Sequence, residues 1–238
     1  MVEIEKKQVT GMFNKLAGVY DLGNHLLSLG LDFGWRKRLA RELVSYAPKT
    51  ILDLASGTAD LALALKKQLT EASVIGIDLA ENMLKIAAGK VLKHKLENHI
   101  TLALADIEEM PFPDQSFDAV SIAFGIRNLE HRAKGLAEIN RVLKPGGVLA
   151  VLEFTLPEPG LFARIYSIYL GKLLPWAGKL LSGEPSYLYL RNTIHEFPPP
   201  EAFAQELKAA GFVLQASIPL TRQTVMLFLA KKSPSLTR

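Results

Sequence analysis

The stretch Ile51-Leu52-Asp53-Leu54-Ala55-Ser56-Gly57-Thr58-Ala59-Asp60, followed by Val74-Ile75-Gly76-Ile77-Asp78, decides the fold. It predicts a short buried strand, a turn at a glycine, the start of a helix, and a second buried strand that ends in an acid. Gly57 has no side chain, so a ligand can approach the backbone of the turn closely. Asp78 follows Gly57 at about 20 residues, the spacing at which an acid binds the ribose hydroxyls of an adenosine cofactor in a doubly wound sheet.

The charges around the turn favour one adenosine cofactor over another. The pyrophosphate of NAD is held by several glycines, whereas Ala59 and Leu61 stand where a G-x-G-x-x-G loop has more of them. Nearby carboxylates repel a pyrophosphate but suit a cation, and S-adenosylmethionine carries a sulfonium and an ammonium without any phosphate. We therefore predict S-adenosylmethionine, with NAD and a turn without ligand as the alternatives. The predicted binding residues are Asp53, Gly57, Thr58 and Asp78.

Composition is consistent with one cytoplasmic domain that spans residues 1–238. The chain has 238 residues, 49% of them hydrophobic, and no cysteine, which excludes disulfides and thiolate metal sites. Residues 1–7 contain no apolar signal core, and no uncharged run approaches the roughly 20 residues of a membrane span. The net charge is +4. Because no basic stripe with interleaved aromatic residues accompanies this charge, we expect no nucleic-acid partner, and the alternative is attraction to the anionic inner face of a membrane.

Apolar runs and helical periodicities alternate along the chain, which predicts an α/β fold with a doubly wound, mostly parallel sheet. A helical N-terminal lid is expected over residues 1–48, and a helical insertion on the substrate side over residues 157–198. The predicted helices of the alternating part are Leu61–Leu69, Glu81–Leu96, Arg132–Leu143 and Pro200–Ala210. The predicted strands are Ile51–Leu54, Val74–Asp78, Ile100–Ala105, Phe117–Phe124, Gly147–Phe154, Phe212–Ile218 and Gln223–Lys231.

Several longer stretches carry a resemblance to a known family. They are Tyr20-Asp21 with Trp35-Arg36, Leu104-Ala105-Asp106, Phe124-Gly125-Ile126-Arg127-Asn128, and Arg141-Val142-Leu143-Lys144-Pro145-Gly146-Gly147. On these residues the chain resembles the ubiquinone/menaquinone biosynthesis C-methyltransferases over nearly its whole length. The resemblance implies the class I methyltransferase fold, a Rossmann-like sheet of seven strands with one antiparallel strand. It also implies methyl transfer from S-adenosylmethionine to a ring carbon of a polyprenylated quinol.

The resemblance also assigns roles to individual residues. It implies that Arg127 and Asn128 are catalytic, that Asp106, Ile107 and Ala123 contact the cofactor, and that Tyr20 and Asp21 contact the substrate. The chain departs from the family pattern at Ala59, where a second glycine is usual, and at Ala123, where a serine is frequent. The methyl group of Ala59 is expected to be tolerated if that residue already has helical geometry.

The chemistry of the acceptor sets further requirements. The methyl group on a sulfonium is already activated, so we expect no metal. An oxidised quinone is electron-poor, so the acceptor must be the reduced quinol, whose hydroxyl has a pKa of about 10. The site therefore needs a base, a cation that stabilises the phenolate, or both. Arg127 would supply the cation, and His25 and His195 are alternative bases.

Some questions stay open at the level of sequence. The apolar segment 161–182 could line a channel for a prenyl tail, contact a membrane, or pack on the sheet. Another phenolic or lipid amine acceptor, a non-catalytic lipid- or nucleotide-binding module, and a dehydrogenase are the alternative functions. The choice between menaquinone and ubiquinone precursors is undecided, with demethylmenaquinol favoured, and an oligomer is compatible with the apolar surfaces.

Overall fold

A computed structural model describes residues 6–169, 171 and 185–233, and shows a seven-stranded sheet. The strand order is β3-β2-β1-β4-β5-β7-β6, and all neighbours are parallel except β7, which runs antiparallel to β5 and β6. The strands are β1 (Thr50–Leu54), β2 (Ser73–Asp78), β3 (Ile100–Leu104), β4 (Phe117–Ala123), β5 (Leu143–Phe154), β6 (Phe212–Leu220) and β7 (Val225–Lys232). The predicted fold class is therefore confirmed.

Helices alternate with the strands and also precede and interrupt them. The described α-helices are α1 (Lys6–Leu27), α2 (Leu31–Val44), α3 (Asp60–Gln68), α4 (Glu81–Lys93), α5 (Arg132–Val142), α6 (Leu161–Ile168), α7 (Pro185–Glu196) and α8 (Pro200–Ala209). The segment predicted as an N-terminal lid thus contains α1 and α2, and the predicted insertion contains α6 and α7. Residues 170 and 172–184 of that insertion lie outside the described part. Among the described helices, none combines the length and the apolar character needed to cross a membrane.

The two faces of the sheet bury different helices. On one face, Ile51 and Val74 pack with residues of α2, α3 and α4, such as Leu39 and Leu65. On the other face, alternate strand residues such as Leu52 pack with residues of α5 and α8. Because successive side chains of a strand point to opposite faces, the continuous apolar runs of β1, β4 and β5 supply both cores.

The carboxyl ends of β1 and β4 mark the point at which the strand order reverses. Chain connections leave β1 toward β2 and β3 on one side, and return to β4 on its other side. Ligands of doubly wound sheets bind in the crevice outside such a switch point. The turn after β1 and the Phe124-Gly125 turn after β4 meet there, and a Cβ on Gly125 would lie only 2.6 Å from the Cβ of Ala55.

One predicted boundary was wrong. The Lys144-Pro145-Gly146-Gly147 segment was expected to separate a helix from a strand that starts at Gly147, but β5 already begins at Leu143. Leu143 pairs with Phe117, and the register then shifts before Val148 pairs with Ala119. Pairing with β4 therefore extends β5 across the Lys144-Pro145-Gly146-Gly147 segment, although this segment favours a turn. Its residues are accommodated in an irregularity of the ladder.

Candidate active site

A cavity of about 110 Å³ lies at the carboxyl ends of β1, β2 and β4. Small residues leave this space open, and carboxylates border it, so its chemistry suits a ligand with cationic groups. The small residues are Ala55, Gly57, Ala80, Ala105, Ala123 and Gly125. The acidic residues are Asp78, Asp106 and Glu108. Ile107 and Asn128 also line the cavity.

Asp78 at the end of β2 is held in place by the backbone. Its two carboxylate oxygens accept hydrogen bonds from the N–H of Gly57, at 2.9 Å, and the N–H of Ala80, at 2.8 Å. Burial raises the pKa of the Asp78 carboxyl, although these backbone donors oppose the shift. Each oxygen keeps acceptor capacity for a further donor, which suits a pair of ribose hydroxyls.

The turn between β1 and α3 contains three residues in the left-handed region, Ala55, Gly57 and Ala59. Gly57 has a φ of 54°, which a glycine adopts without strain. Ala59 has a φ of 69° and a ψ of 18° and lies before the first residue of α3. Ala59 therefore lacks the helical geometry on which tolerance of its methyl group depended, and this alanine holds a conformation that costs an L-residue about 1 kcal/mol.

Helix α1 covers this first cavity, which lies at the ends of β1, β2 and β4. Lys6 donates to Asp106 at 2.6 Å and to Glu108 at 3.1 Å, and Phe13 and Tyr20 contribute to the lining. Although burial opposes the charge of the Lys6 ammonium, hydrogen bonds to the two carboxylates raise its pKa. The ammonium of Lys6 thus occupies one oxygen of Asp106, whose other oxygen accepts the backbone N–H of Glu108.

A network of side chains, the α1 latch, ties α1 to the glycine turn and to α4. Thr58 donates its hydroxyl to Asp21 at 2.5 Å, and Nζ of Lys90 lies 2.6 Å from carboxylate oxygens of both Asp21 and Asp60. Asp21, Asp60 and His25 bring potential metal-ligand atoms within 4.8 Å of one another. The ammonium of Lys90 already supplies a cation to both aspartates of this group.

A second and larger cavity, of about 260 Å³, adjoins the first. We call it the acceptor cavity. Its walls are mainly apolar and aromatic and come from α1, α2, α6 and α7 as well as from the ends of β4 and β5. Phe13, Tyr20 and Phe124 line both cavities. The boundary between the cavities is therefore a place where two ligands would meet.

Arg127 stands at this boundary in an ion pair. Its Nη1 lies 2.6 Å from Oε1 of Glu153, at the end of β5, and also donates to the carbonyl of Phe124 at 2.5 Å. The guanidinium lies 5.5 Å from the centroid of the Phe154 ring. Among the described residues, none accepts a hydrogen bond from Nη2 of Arg127, and Arg127 lines the acceptor cavity.

Asn128 connects the two cavities. Its Oδ1 accepts the hydroxyl of Tyr189 at 2.8 Å, and Asn128 lines the first cavity while Tyr189 lines the second. Burial raises the pKa of Tyr189 to about 12, so its hydroxyl stays protonated and acts as a donor.

Asp53 supports the site from within the sheet. The side chain is buried in β1 and accepts hydrogen bonds from Ser56 and Ser121, each at 2.8 Å. Burial raises the pKa of the Asp53 carboxyl to about 6, although the two serines oppose the shift. These serines are the polar partners that a carboxyl group inside an apolar strand requires.

The structure brings together most of the residues singled out in the sequence. Those that line one or both cavities are Gly57, Asp78, Asp106, Ile107, Ala123, Arg127, Asn128 and Tyr20. Asp53, Thr58 and Asp21 are not among the lining residues: Asp53 accepts a hydrogen bond from Ser56, and Thr58 donates to Asp21. Their contacts with ligands stay predictions, as does the expected absence of a metal.

Other residues of the site were not singled out, or only weakly. Lys6, Phe13 and Asp32 line the cavities but are not among the predicted site residues. The one signal for Asp32 was its proximity to the Trp35-Arg36 stretch that carried the resemblance.

Comparison with known proteins identifies the family. A model of the ubiE/COQ5 methyltransferase family matches residues 1–232. The demethylmenaquinone methyltransferase of Thermus thermophilus is 48% identical over 202 residues, which cover 84% of this chain and 91% of that protein. The ubiquinone/menaquinone biosynthesis C-methyltransferase UbiE of Geobacter sulfurreducens is 40% identical over 207 residues, covering 87% of this chain and 81% of that protein. A SAM-dependent methyltransferase structure from Aquifex aeolicus shares the fold, with a TM-score of 0.59 at 19% identity, over 81% of this chain and 89% of that one. The chain belongs to the ubiE/COQ5 methyltransferase family.

Proposed function

We propose that this protein transfers a methyl group from S-adenosylmethionine to a ring carbon of demethylmenaquinol, a reduced quinone with a polyprenyl tail. The observation that carries the proposal is the pair of adjoining cavities, one small and acidic and one larger and aromatic, with Arg127 and Asn128 at their boundary. The names of the relatives support the acceptor, because proteins called demethylmenaquinone methyltransferase match this chain at 40–48% identity.

The acidic cavity fits S-adenosylmethionine. When bound, this cofactor supplies a methyl group that its sulfonium has already activated. Asp78 would accept the ribose hydroxyls, and the small residues after β1 and β4 leave room for the ligand. Asp106 and Ile107 would lie beside the adenine. The hydrogen bonds that Asp106 accepts from Lys6 and from the backbone N–H of Glu108 would hold its loop in place. Helix α1, with α2, would act as a lid that excludes water.

The residues at the boundary suit a quinol. Nη2 of Arg127 and the amide of Asn128 would orient a ring oxygen and stabilise the phenolate that develops on it. Tyr189 fixes the orientation of Asn128 through its hydrogen bond. The aromatic walls of the acceptor cavity would hold the ring so that its nucleophilic carbon faces the cofactor cavity at roughly 3 Å from the methyl group.

Methyl transfer from labelled S-adenosylmethionine tests the proposal. We expect product from short-tailed demethylmenaquinol, none from the oxidised quinone, and a lower kcat/KM for a ubiquinol precursor. Equal turnover of the oxidised quinone would contradict the requirement for a nucleophilic ring. Cofactor binding without turnover of any quinol would point to another acceptor or to a non-catalytic module.

We further propose that the mouth of the acceptor cavity rests on an anionic membrane surface. Exposed apolar side chains are concentrated on the elements that form this cavity. They are Val19, Leu22, Leu29, Leu31, Phe33, Leu156, Leu161, Ile168 and Leu188. Val19, Leu29 and Leu31 line the cavity themselves, so the exposed surface is continuous with the interior. A quinol with a long prenyl tail would reach the cavity from lipid without crossing water.

A further inference from the structure

Methylation of a quinol ring would release a proton inside the acceptor cavity. A new carbon–carbon bond replaces a ring C–H bond, and the activated hydroxyl must first lose its proton to a base. This step rests on the proposed function, which does not name the base. A group that receives the proton must therefore line the acceptor cavity and communicate with solvent.

The lining of the acceptor cavity offers few groups that accept a proton at neutral pH. Arg36 and Arg127 are cations. Burial raises the pKa values of Tyr20, Tyr166 and Tyr189, so these hydroxyls are protonated. Among the described lining residues, Asp32 is the one carboxylate.

Asp32 is built into a hydrogen-bonded cluster rather than left on the surface. The residue is 3% exposed. Its Oδ1 accepts the hydroxyl of Ser28 at 2.5 Å, and its Oδ2 contacts Nη1 of Arg36 and lies 2.7 Å from Nδ1 of His25. Although burial opposes ionisation, the hydroxyl of Ser28 and the guanidinium of Arg36 lower the pKa of the Asp32 carboxyl, so the group starts as a carboxylate and does not retain a proton.

His25 continues the path from Asp32 to the surface. Its side chain is 24% exposed and stacks on the ring of Phe33, with the centroids 4.1 Å apart. Nε2 lies 3.7 Å from a carboxylate oxygen of Asp60, which is paired with Lys90. The charged groups around the imidazole are thus Asp32 with its partner Arg36, and Asp60 with Lys90 and Asp21. Carboxylates therefore face both ring nitrogens, Asp32 at Nδ1 and Asp60 at Nε2.

We propose that Asp32 and His25 form a proton relay from the acceptor cavity to solvent. The O–H bond of the quinol breaks as an O–H bond forms on Asp32. The proton then passes to Nδ1 of His25, in the tautomer that carries hydrogen on Nε2, and the imidazolium loses the Nε2 proton to water. Exchange of the ring protons with water then returns the imidazole to the tautomer with hydrogen on Nε2 before the next turnover. The ring hydrogen displaced by the methyl group restores the quinol hydroxyl, so one proton leaves per turnover. Asp32 is the catalytic residue of this relay, and His25 is a positioning residue that acts through it.

Single-turnover methyl transfer to short-tailed demethylmenaquinol, followed from pH 5.5 to 9, tests the relay. General-base catalysis typically contributes 10²–10⁴-fold, so Asp32→Asn is expected to lower the rate at pH 7 at least 100-fold while S-adenosylmethionine still binds with its original Kd. His25→Ala is expected to lower the rate about tenfold, and added imidazole to restore it. His94→Ala, at an exposed histidine at the end of α4, serves as the matched control and should change neither rate nor response to imidazole.

The two variants separate a relay from a purely structural cluster. Asp32→Asn leaves the buried Arg36 without its carboxylate partner, so this variant is used only after binding of S-adenosylmethionine shows that it folds. If it does not fold, His25→Ala alone tests the relay. A rate within threefold of the original in either folded variant overturns the relay, as does a loss in His25→Ala that imidazole leaves unchanged. Failure of the unmodified protein to methylate any quinol would instead reject the proposed function.

Discussion

Asp53 illustrates how one buried carboxyl makes stability depend on pH. Its pKa in the folded protein is about 6, above the ordinary aspartate value of 3.8, because burial disfavours the charged form. A group whose pKa is raised on folding contributes stability below its unfolded pKa and loses that contribution as pH rises through the folded pKa. The contribution of Asp53 is therefore lost between about pH 4 and pH 6.

The variant Asp53→Asn is expected to remove this dependence, because asparagine can still bond Ser56 and Ser121 without a charge. The free energy of unfolding of the original protein, relative to Asp53→Asn, should fall by about 2 kcal/mol from pH 4.5 to 7.5. Urea unfolding of both proteins across this range measures the difference. A constant difference would show that Asp53 has the same charge in the folded and unfolded states.

Ala59 holds a left-handed conformation that a glycine adopts without strain. Ala59→Gly is therefore expected to raise the free energy of unfolding by about 1 kcal/mol, even though glycine also adds entropy to the unfolded chain. Ala64→Gly is the matched control, because Ala64 lies inside α3 with helical geometry and its replacement should lower the free energy of unfolding by about 1 kcal/mol. Denaturant unfolding compares the two variants, and destabilisation by both would refute the strain at Ala59.

At the scale of elements, the α1 latch joins α1, which we propose to be part of a lid, to α3 and α4. Lys90 bonds Asp21 of α1 and Asp60 of α3 while it is itself part of α4. Lys90→Gln is expected to weaken the docking of α1 by about 1 kcal/mol, to speed hydrogen exchange of the α1 amides, and to raise the Kd for S-adenosylmethionine severalfold.

The matched control for the latch lies on the same helix. Lys93 is exposed and, among the described residues, forms no ion pair, so Lys93→Gln should leave exchange in α1 and the Kd unchanged. Equal effects of the two lysine variants would mean that the charge of α4, and not the latch, holds the lid.

The elements themselves were largely predictable from sequence because their signals are local. Apolar runs, helical periodicity and the glycine turn predicted all seven strands and the sheet edge at which the cavity lies. The Lys144-Pro145-Gly146-Gly147 segment misled because strand pairing with Phe117 outweighs local turn preference. The partnerships that shape the site were not predictable, because they join distant positions: Thr58 bonds Asp21, and Arg127 pairs with Glu153. Such contacts depend on how helices pack on the sheet.

At the scale of the whole molecule, exposed apolar residues surround the acceptor cavity, and we expect that face to bind membranes. The variant with both Leu161→Asp and Ile168→Asp should reduce co-sedimentation with anionic phospholipid vesicles at least tenfold, because two apolar side chains no longer enter the lipid. These residues are 76% and 59% exposed. Vesicles of neutral lipid and raised salt separate the contribution of charge.

A control for the membrane face uses equally exposed leucines elsewhere. Leu92 on α4 and Leu104 at the end of β3 are 65% and 60% exposed, and replacing both by aspartate should leave vesicle binding unchanged. Reduction by both double variants would reflect the added negative charge alone. If the unmodified protein did not bind vesicles, the membrane proposal would be rejected.

The position of α1 has a consequence for the order of events in the catalytic cycle. Phe13 and Tyr20 of this one helix line both cavities. A quinol bound against these two side chains would therefore also block dissociation of the cofactor behind them. We expect compulsory-order kinetics, in which the cofactor arrives first and the demethylated cofactor leaves last. Each turnover would then begin and end with movement of α1 away from the sheet edge. We expect release of the demethylated cofactor, rather than formation of the carbon–carbon bond, to limit the rate.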